Sequence, residues 1–166
     1  MIKKHYKLII FLLIIFVIFL IYKANHHNYF NYTSLGDGYA LGISSYGEED
    51  YGYSDFIKDR LQEEKKLKIY TKDFAEKNQS INHLYETLLT NEKITTGKVE
   101  KNIKQTLRES DLVTMTIGLN DIIYHITITP NMNEYKLQQI MKNLEKDIKI
   151  LIKEIKTYYP KEIYII

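Results

Sequence analysis

Two short segments carry residue types that suit chemistry. The first is the turn GDG at residues 36–38, which follows a short strand candidate. The second is GLND at residues 118–121, which follows the apolar run DLVTMTI. A carboxylate can accept or donate a proton, and an amide N–H can stabilise a negative charge that develops on a substrate oxygen. Since both segments follow predicted strands, we expect them at the carboxyl edge of one sheet, where α/β proteins bind ligands.

Strand and helix candidates alternate along the chain and would position these segments. The hydrophobic pattern predicts strands at 32–35, 67–74, 111–117 and 161–166. It predicts helices from Ser54 to about 64, after Ser80, from about 98 to 109, and from about 133 to 158. We expect Ser54 to cap its helix and Phe56, Ile57 and Leu61 to face inward. Strands separated by helices predict a parallel α/β sheet, with the first strand central.

Together the two segments resemble the SGNH/GDSL hydrolases, a family of serine esterases and lipases. The resemblance covers about residues 30–166, or the first three-quarters of the family's pattern. It implies a flavodoxin-like, three-layer α/β/α sandwich with a parallel sheet. It also implies an acyl or acetyl ester ligand, on a lipid or a cell-wall glycan. We expect no cofactor, and no metal site either, because His83 and His125 are lone histidines without clustered ligands.

The family's functional residues map onto this chain one position at a time. The nucleophilic serine corresponds to Gly38, next to Asp37, and the oxyanion-binding asparagine corresponds to Asn120, flanked by Gly118 and Asp121. A second oxyanion donor in the family is a glycine after the second strand, where this chain has Lys77 or Asn78. The family's Asp-x-x-His block does not occur in the 166 residues. Because glycine has no side chain, the resemblance implies binding with negligible hydrolysis.

Other residues near the turn leave alternatives open. A hydroxyl of Ser34, Ser44, Ser45 or Tyr39 would have to replace the serine if the chain is an active esterase. Asp37 either activates a water or, as we favour, holds the turn through backbone hydrogen bonds. A third hypothesis is an interaction module that presents the tyrosine-rich loop of residues 39–53 to a partner.

An uncharged run of fifteen residues, LIIFLLIIFVIFLIY, occupies positions 8–22. It is short for a membrane span, which needs about 20 residues, but Lys7 and Lys23 can snorkel from its ends. A cleaved signal peptide is the alternative, although Ala24 and its neighbours make a poor cleavage site. The lysines before the run predict that the amino terminus is cytoplasmic. The chain then divides into a cytoplasmic stub at residues 1–7, a single-pass anchor at 8–22, a linker at 23–31 and an extracytoplasmic domain at 32–166.

Composition narrows the function further. The chain has no cysteine, so thiol chemistry and disulfides are excluded. Residues 1–23 hold four basic residues, Lys3, Lys4, Lys7 and Lys23, and no acidic residue. The rest of the chain therefore has 19 basic and 21 acidic residues. That slightly acidic domain argues against nucleic-acid binding. Because the sequence stops within the last predicted strand, we expect the domain to be incomplete or covered there by a partner subunit.

Overall fold

The structure, a computed structural model, describes residues 10–18, 29–91, 93–96 and 99–166. Residues 10–18 are helical and their side chains are exposed. The rest of the predicted anchor at 8–22, the stub at 1–7 and most of the linker lie outside the described residues. Within the described part of the chain, no helix is both long and apolar enough to span a membrane.

Four parallel strands form the central sheet in the order β2-β1-β5-β6. They are β1 (Phe30–Gly36), β2 (Leu67–Thr71), β5 (Leu112–Thr116) and β6 (Ile163–Ile165). The predicted parallel sheet and the interior position of its first strand are thus confirmed. β1 starts two residues earlier than predicted, so Phe30 and Asn31 belong to the sheet and not to the linker. A separate antiparallel hairpin joins β3 (Lys93–Thr96) to β4 (Val99–Asn102).

Six helices accompany the domain's strands: α1 (Gly38–Leu41), α2 (Tyr53–Glu63), α3 (Ile81–Thr90), α4 (Ile103–Glu109), α5 (Leu119–Ile128) and α6 (Glu134–Tyr158). The side chains of Ser80 and Asn133 cap α3 and α6, because each accepts a hydrogen bond from a backbone N–H of the first turn. The sequence predicted neither α1 nor α5. Each begins within the segment that follows a strand, at Gly38 and at Leu119.

Side chains alternate along each strand, so each face of the sheet carries its own set of side chains and packs against different helices. Leu35, Val113 and Met115 point to one face, where α3, α4 and α6 supply the other half of the apolar core. On the opposite face, Tyr32 and Thr114 share a hydrogen bond of 2.9 Å beneath α2. Helices on both faces of a parallel sheet make the predicted three-layer arrangement.

Two helix predictions need correction. Residues 99–102 form β4, so the helix predicted from about 98 begins only at Ile103, capped by the Asn102 side chain. In α2 the cap residue is Gly52, whereas Ser54 is fully buried and donates its hydroxyl to the Ala40 carbonyl at 2.7 Å. Phe56 is 64% exposed instead of facing inward. Polar contacts at Ser54 and its neighbour set the buried side of α2, which an apolar-stripe argument does not detect.

Candidate functional site

The register of β1 and β5 brings the two predicted segments to the same edge. Gly36 pairs with Thr116, so both strands end together and their loops emerge side by side. Gly36 has φ +109°, and a Cβ on it would lie 1.7 Å from the Thr116 carbonyl oxygen. Only glycine fits this close approach between the ends of the two strands.

Asp37 is 2% exposed and holds the turn that follows β1. Its carboxylate accepts hydrogen bonds from the Tyr39 N–H at 3.1 Å and from the Thr116 hydroxyl at 2.8 Å. The first bond caps α1, and the second joins the turn to β5. These contacts support the interpretation of Asp37 as the residue that holds the turn.

Gly38 is the first residue of α1 and lines a surface cleft. A Cβ at this position would lie 3.2 Å from the Lys77 carbonyl oxygen and 3.3 Å from the Ile43 side chain, which is close but not an overlap. Among the described residues, the Gly38 N–H has no hydrogen-bond acceptor. The backbone therefore offers a donor where the chain has no nucleophile.

Asn120 lies across the cleft in the first turn of α5. Gly118 caps this helix with φ +103°, which lets the chain turn sharply out of β5. The Asn120 side-chain nitrogen donates to the Gln79 carbonyl oxygen at 3.1 Å. Asp121 points elsewhere: its two carboxylate oxygens lie 3.3 and 3.1 Å from the Ile81 N–H, so it fastens α5 to the start of α3.

The cleft has a volume of about 400 Å³ and is shared by both segments. Gly38 and Asn120 line it together with Lys77 and Asn78, the two candidates for the family's oxyanion glycine. The Lys77 ammonium donates to the Gly47 carbonyl at 2.9 Å and so closes one side of the cleft. A ligand oxygen in this space meets backbone and amide donors with a lysine nearby, which suits a carbonyl or a carboxylate.

The four hydroxyl groups that could replace the missing serine nucleophile differ in whether they reach the cleft. Ser34 is fully buried, and its hydroxyl is 3.1 Å from that of Tyr53, so it is not available to a ligand. Ser44, Ser45 and Tyr39 do line the cleft. No histidine is among the described residues that line it, so none of these hydroxyls has an imidazole base there.

A buried hydroxyl network lies behind the site, on the α2 face of the sheet. Tyr32 and Tyr70 stack with ring centroids 5.3 Å apart, and the Tyr70 hydroxyl donates to Ser54 at 2.8 Å. Burial raises the pKa of Tyr32 to about 12, although the hydrogen bond to Thr114 opposes the shift. Burial also raises the pKa of Tyr70. Both phenols therefore stay neutral at ordinary pH.

Helix α5 continues from the cleft with an apolar, largely exposed surface. None of its residues is buried, and Ile123, Tyr124 and Ile126 are among its exposed side chains. Leu119, at its first position, lines the cleft itself. An apolar surface that starts inside the cleft would suit the acyl part of a ligand.

Sequence reasoning missed Thr116 and Gln79 as parts of the site. Thr116 contacts Asp37 only because of the strand register, which a single sequence does not reveal. Gln79 supplies the carbonyl that holds Asn120, and its own side chain is fully buried without a hydrogen-bond partner among the described residues. Its position between Asn78 and the helix cap Ser80 was the only available signal.

The chain has the SGNH/GDSL hydrolase-like α/β fold. No protein-family model matches the sequence, and no curated protein matches it either. The similarity appears in solved structures. One is a lipase from a goat rumen metagenome, with a TM-score of 0.61 and 16% identity over 82% of this chain and 62% of that one.

Two further structures agree with this fold. A protein described as a GDSL-like lipase, from Parabacteroides merdae, has a TM-score of 0.54 and 18% identity over 84% of this chain and 61% of its own. An alpha/beta hydrolase enzyme from the metagenome of Lake Arreo has a TM-score of 0.51 and 14% identity, with 82% and 59% covered. The chain thus spans about three-fifths of the length of these structures.

Proposed function

We propose that this domain binds a carboxylic ester, or the carboxylate released from one, without hydrolysing it. The observation that carries the proposal is the cleft in which Gly38 stands where the hydrolases have serine, while the oxyanion-binding asparagine is kept as Asn120. An ester carbonyl placed between these residues would receive hydrogen bonds, but no side chain at position 38 can attack it.

The surroundings of the cleft support an acyl-bearing ligand. Backbone and amide donors suit the carbonyl oxygen, and the exposed apolar side chains of α5 suit a hydrocarbon chain beside it. The Lys77 ammonium adds positive charge, which favours a carboxylate product over a neutral ester. A lipid or an acylated cell-wall glycan is the class of ligand that we propose.

We also propose that residues 8–22 anchor the chain in the membrane as a single-pass segment, with the domain on the extracytoplasmic side. The uncharged run and the three lysines that precede it support this topology. Protease added outside intact cells should degrade the domain but leave the amino terminus protected. A soluble mature protein that begins near Asn25 would contradict the anchor.

Binding is tested with the full-length chain in neutral nanodiscs and butyrate or 4-nitrophenyl butyrate as the probe. Saturation-transfer NMR should show saturable butyrate binding that is lost in Asn120→Ala. The matched control is Asn143→Ala, an exposed asparagine on α6, which should bind as the unchanged chain does.

Hydrolysis is measured in the same preparations. We expect no release of 4-nitrophenol above the rate without protein. Turnover near the common enzyme value of about 10 s⁻¹ would show an active esterase that uses another nucleophile. Equal binding by the Asn120→Ala and Asn143→Ala variants would show that the cleft is not the binding site.

An interaction module is the second candidate, because one specific feature favours it. In the loop between α1 and α2, Tyr46 is 91% exposed and Tyr51 is 48% exposed. Exposed tyrosines are common at protein interfaces. Crosslinking that captures a protein through Tyr46, together with no butyrate binding, would favour this function over the first.

A further inference from the structure

Helix α6 carries a row of lysines on the side opposite its buried stripe. The row recurs at steps of four and three residues, which keeps it on one face of a helix. Its members are Lys142, Lys146, Lys149, Lys153 and Lys156, and all five are exposed. With 1.5 Å per residue, the row extends over about 21 Å.

One acid is paired with this row, and most of its charge is left over. Glu145 pairs with Lys149, but the other four lysines have no ion-pair partner among the described residues. The remainder of the chain after position 23 is slightly acidic overall, so the row is a local excess of positive charge on it.

The row also ends close to where the chain enters the domain. Asn31, near the start of β1, donates its N–H to Asp111 at 3.1 Å. Tyr159, just after α6, donates its hydroxyl to the Asp111 carbonyl at 3.1 Å. The end of α6 with Lys156 therefore lies beside the entry point of the chain.

From the predicted anchor to β1 the chain has only the seven residues 23–29, which reach at most about 25 Å. A domain on so short a tether stays at the bilayer surface. We propose that the lysine row of α6 lies along the membrane and binds anionic lipid headgroups, with the domain on its side. This inference rests on the proposed membrane anchor and goes beyond the proposed ligand cleft.

The test uses the full-length chain in vesicles and exploits its lack of cysteine, because one introduced cysteine is then labelled uniquely. The reporter is Gln139→Cys, which lies one turn before Lys142 on the same side of α6, far from the chain entry. The control is Glu63→Cys on α2, on the opposite layer. Glu63 is close to Lys66, whose carbonyl accepts the Phe30 N–H at 2.6 Å, so it is nearer to the tether than Gln139.

Energy transfer from each label to a lipid fluorophore reports its distance from the bilayer. In vesicles with anionic phosphatidylglycerol at low salt, we expect stronger transfer from position 139 than from position 63. This order should disappear in phosphatidylcholine vesicles and in 1 M salt, where charges are screened beyond about 3 Å. A tether without docking would give the opposite order, because Glu63 is nearer to the anchor.

Charge variants assign the effect to the row. The triple variant Lys142→Gln, Lys146→Gln, Lys153→Gln should reduce the ratio of docked to undocked domains by about fivefold for each lysine. The matched control Lys68→Gln, Lys93→Gln, Lys101→Gln removes the same charge elsewhere and should keep the order of the labels. An equal loss in both triple variants would overturn the inference, because it would show an effect of net charge alone.

Flotation with neutral vesicles separates this inference from the anchor. If the chain does not float with them, the anchor is wrong and the docking falls with it. If it floats but transfer at position 139 is the same in neutral and anionic vesicles, the anchor stands and the docking alone is refuted.

Discussion

The side-chain nitrogen of Asn120 lies 3.1 Å from the carbonyl oxygen of Gln79 and donates a hydrogen bond to it. This bond joins the first turn of α5 to the loop after β2, so that two sides of the cleft are fixed relative to each other. It also fixes the orientation of the amide, which has a second N–H left for a ligand. These two sides of the cleft are therefore fixed without a ligand, which would reduce the ordering cost of binding one.

The first prediction contrasts the two glycines of the turn. Gly36→Ala should destabilise the domain by more than about 4 kcal/mol, because its Cβ would overlap the Thr116 carbonyl oxygen. Gly38→Ala should change stability by no more than about 1 kcal/mol, because its Cβ would make tight contacts of 3.2 and 3.3 Å without an overlap, and alanine favours the helix. Urea unfolding followed by circular dichroism measures both. Equal midpoints would show that the close approach at Gly36 does not exist.

The second prediction concerns the core. Leu151 is fully buried between α6 and the sheet, so Leu151→Ala should cost about 2–5 kcal/mol through lost burial and a residual cavity. Phe56→Ala removes a larger side chain that is 64% exposed and should cost less than about 1 kcal/mol. The same unfolding experiment compares them. A larger loss for Phe56 would restore the original prediction that it faces inward.

The sequence predicts those parts of the fold that form by burial of apolar side chains, and it does not predict those that depend on specific hydrogen bonds. Apolar periodicity located α6 and the four strands of the central sheet, because burial of apolar side chains forms them. The hairpin of β3 and β4 was not predicted, because Val99 and Ile103 also fit a helical period. In α2 the buried side is chosen by hydrogen bonds of Ser54, which no hydrophobic pattern encodes.

The candidate site was also predicted only in part. The positions of Gly38 and Asn120 followed from the family pattern and from the rule that parallel strands present their carboxyl ends at one edge. Their contacts did not, since the bonds from Thr116 to Asp37 and from Asn120 to Gln79 depend on strand register and loop path. Such contacts between distant positions require the three-dimensional structure.

The third prediction is a loss of stability at high pH. Burial raises the pKa of Tyr32 to about 12, above the value of 10.0 expected in the unfolded chain. Between these values the folded state keeps a proton that the unfolded state releases, so stability falls as pH rises through this window and is fully present below pH about 10. The loss from this group should approach 2–3 kcal/mol, at about 1.4 kcal/mol for each pH unit.

Tyr32→Phe provides the comparison for this window. The variant should be less stable than the unchanged chain at pH 8, because the Thr114 hydroxyl loses its 2.9 Å partner. Its stability should nevertheless fall less steeply above pH 10. Urea unfolding across pH 8–12, with tyrosinate absorbance as the titration signal, measures both. Identical slopes for the two proteins would exclude Tyr32 as the source.

The last prediction concerns restoration of the missing nucleophile. Gly38→Ser in this chain should fold but hydrolyse 4-nitrophenyl butyrate at less than a thousandth of about 10 s⁻¹, because an unactivated serine is a poor nucleophile at neutral pH. Of the described histidines, His83 pairs with Glu76 at 3.4 Å and His125 lines a different cavity, so neither is placed to take the serine's proton. The matched control is Gly38→Ala, which adds the Cβ without the hydroxyl.

Labelling by a fluorophosphonate, followed by mass spectrometry of the intact chain, tests activation of the new serine directly. We expect the same negligible labelling for Gly38→Ser and Gly38→Ala at pH 7, and slow labelling of the serine variant alone as pH rises, because hydroxide then supplies the base that the cleft lacks. Binding of butyrate should persist in both variants, since the donors at Asn120 and the backbone are unchanged. Rapid labelling of Gly38→Ser at pH 7 would mean that a base reaches the cleft. Glycine at position 38 would then be the only barrier to catalysis.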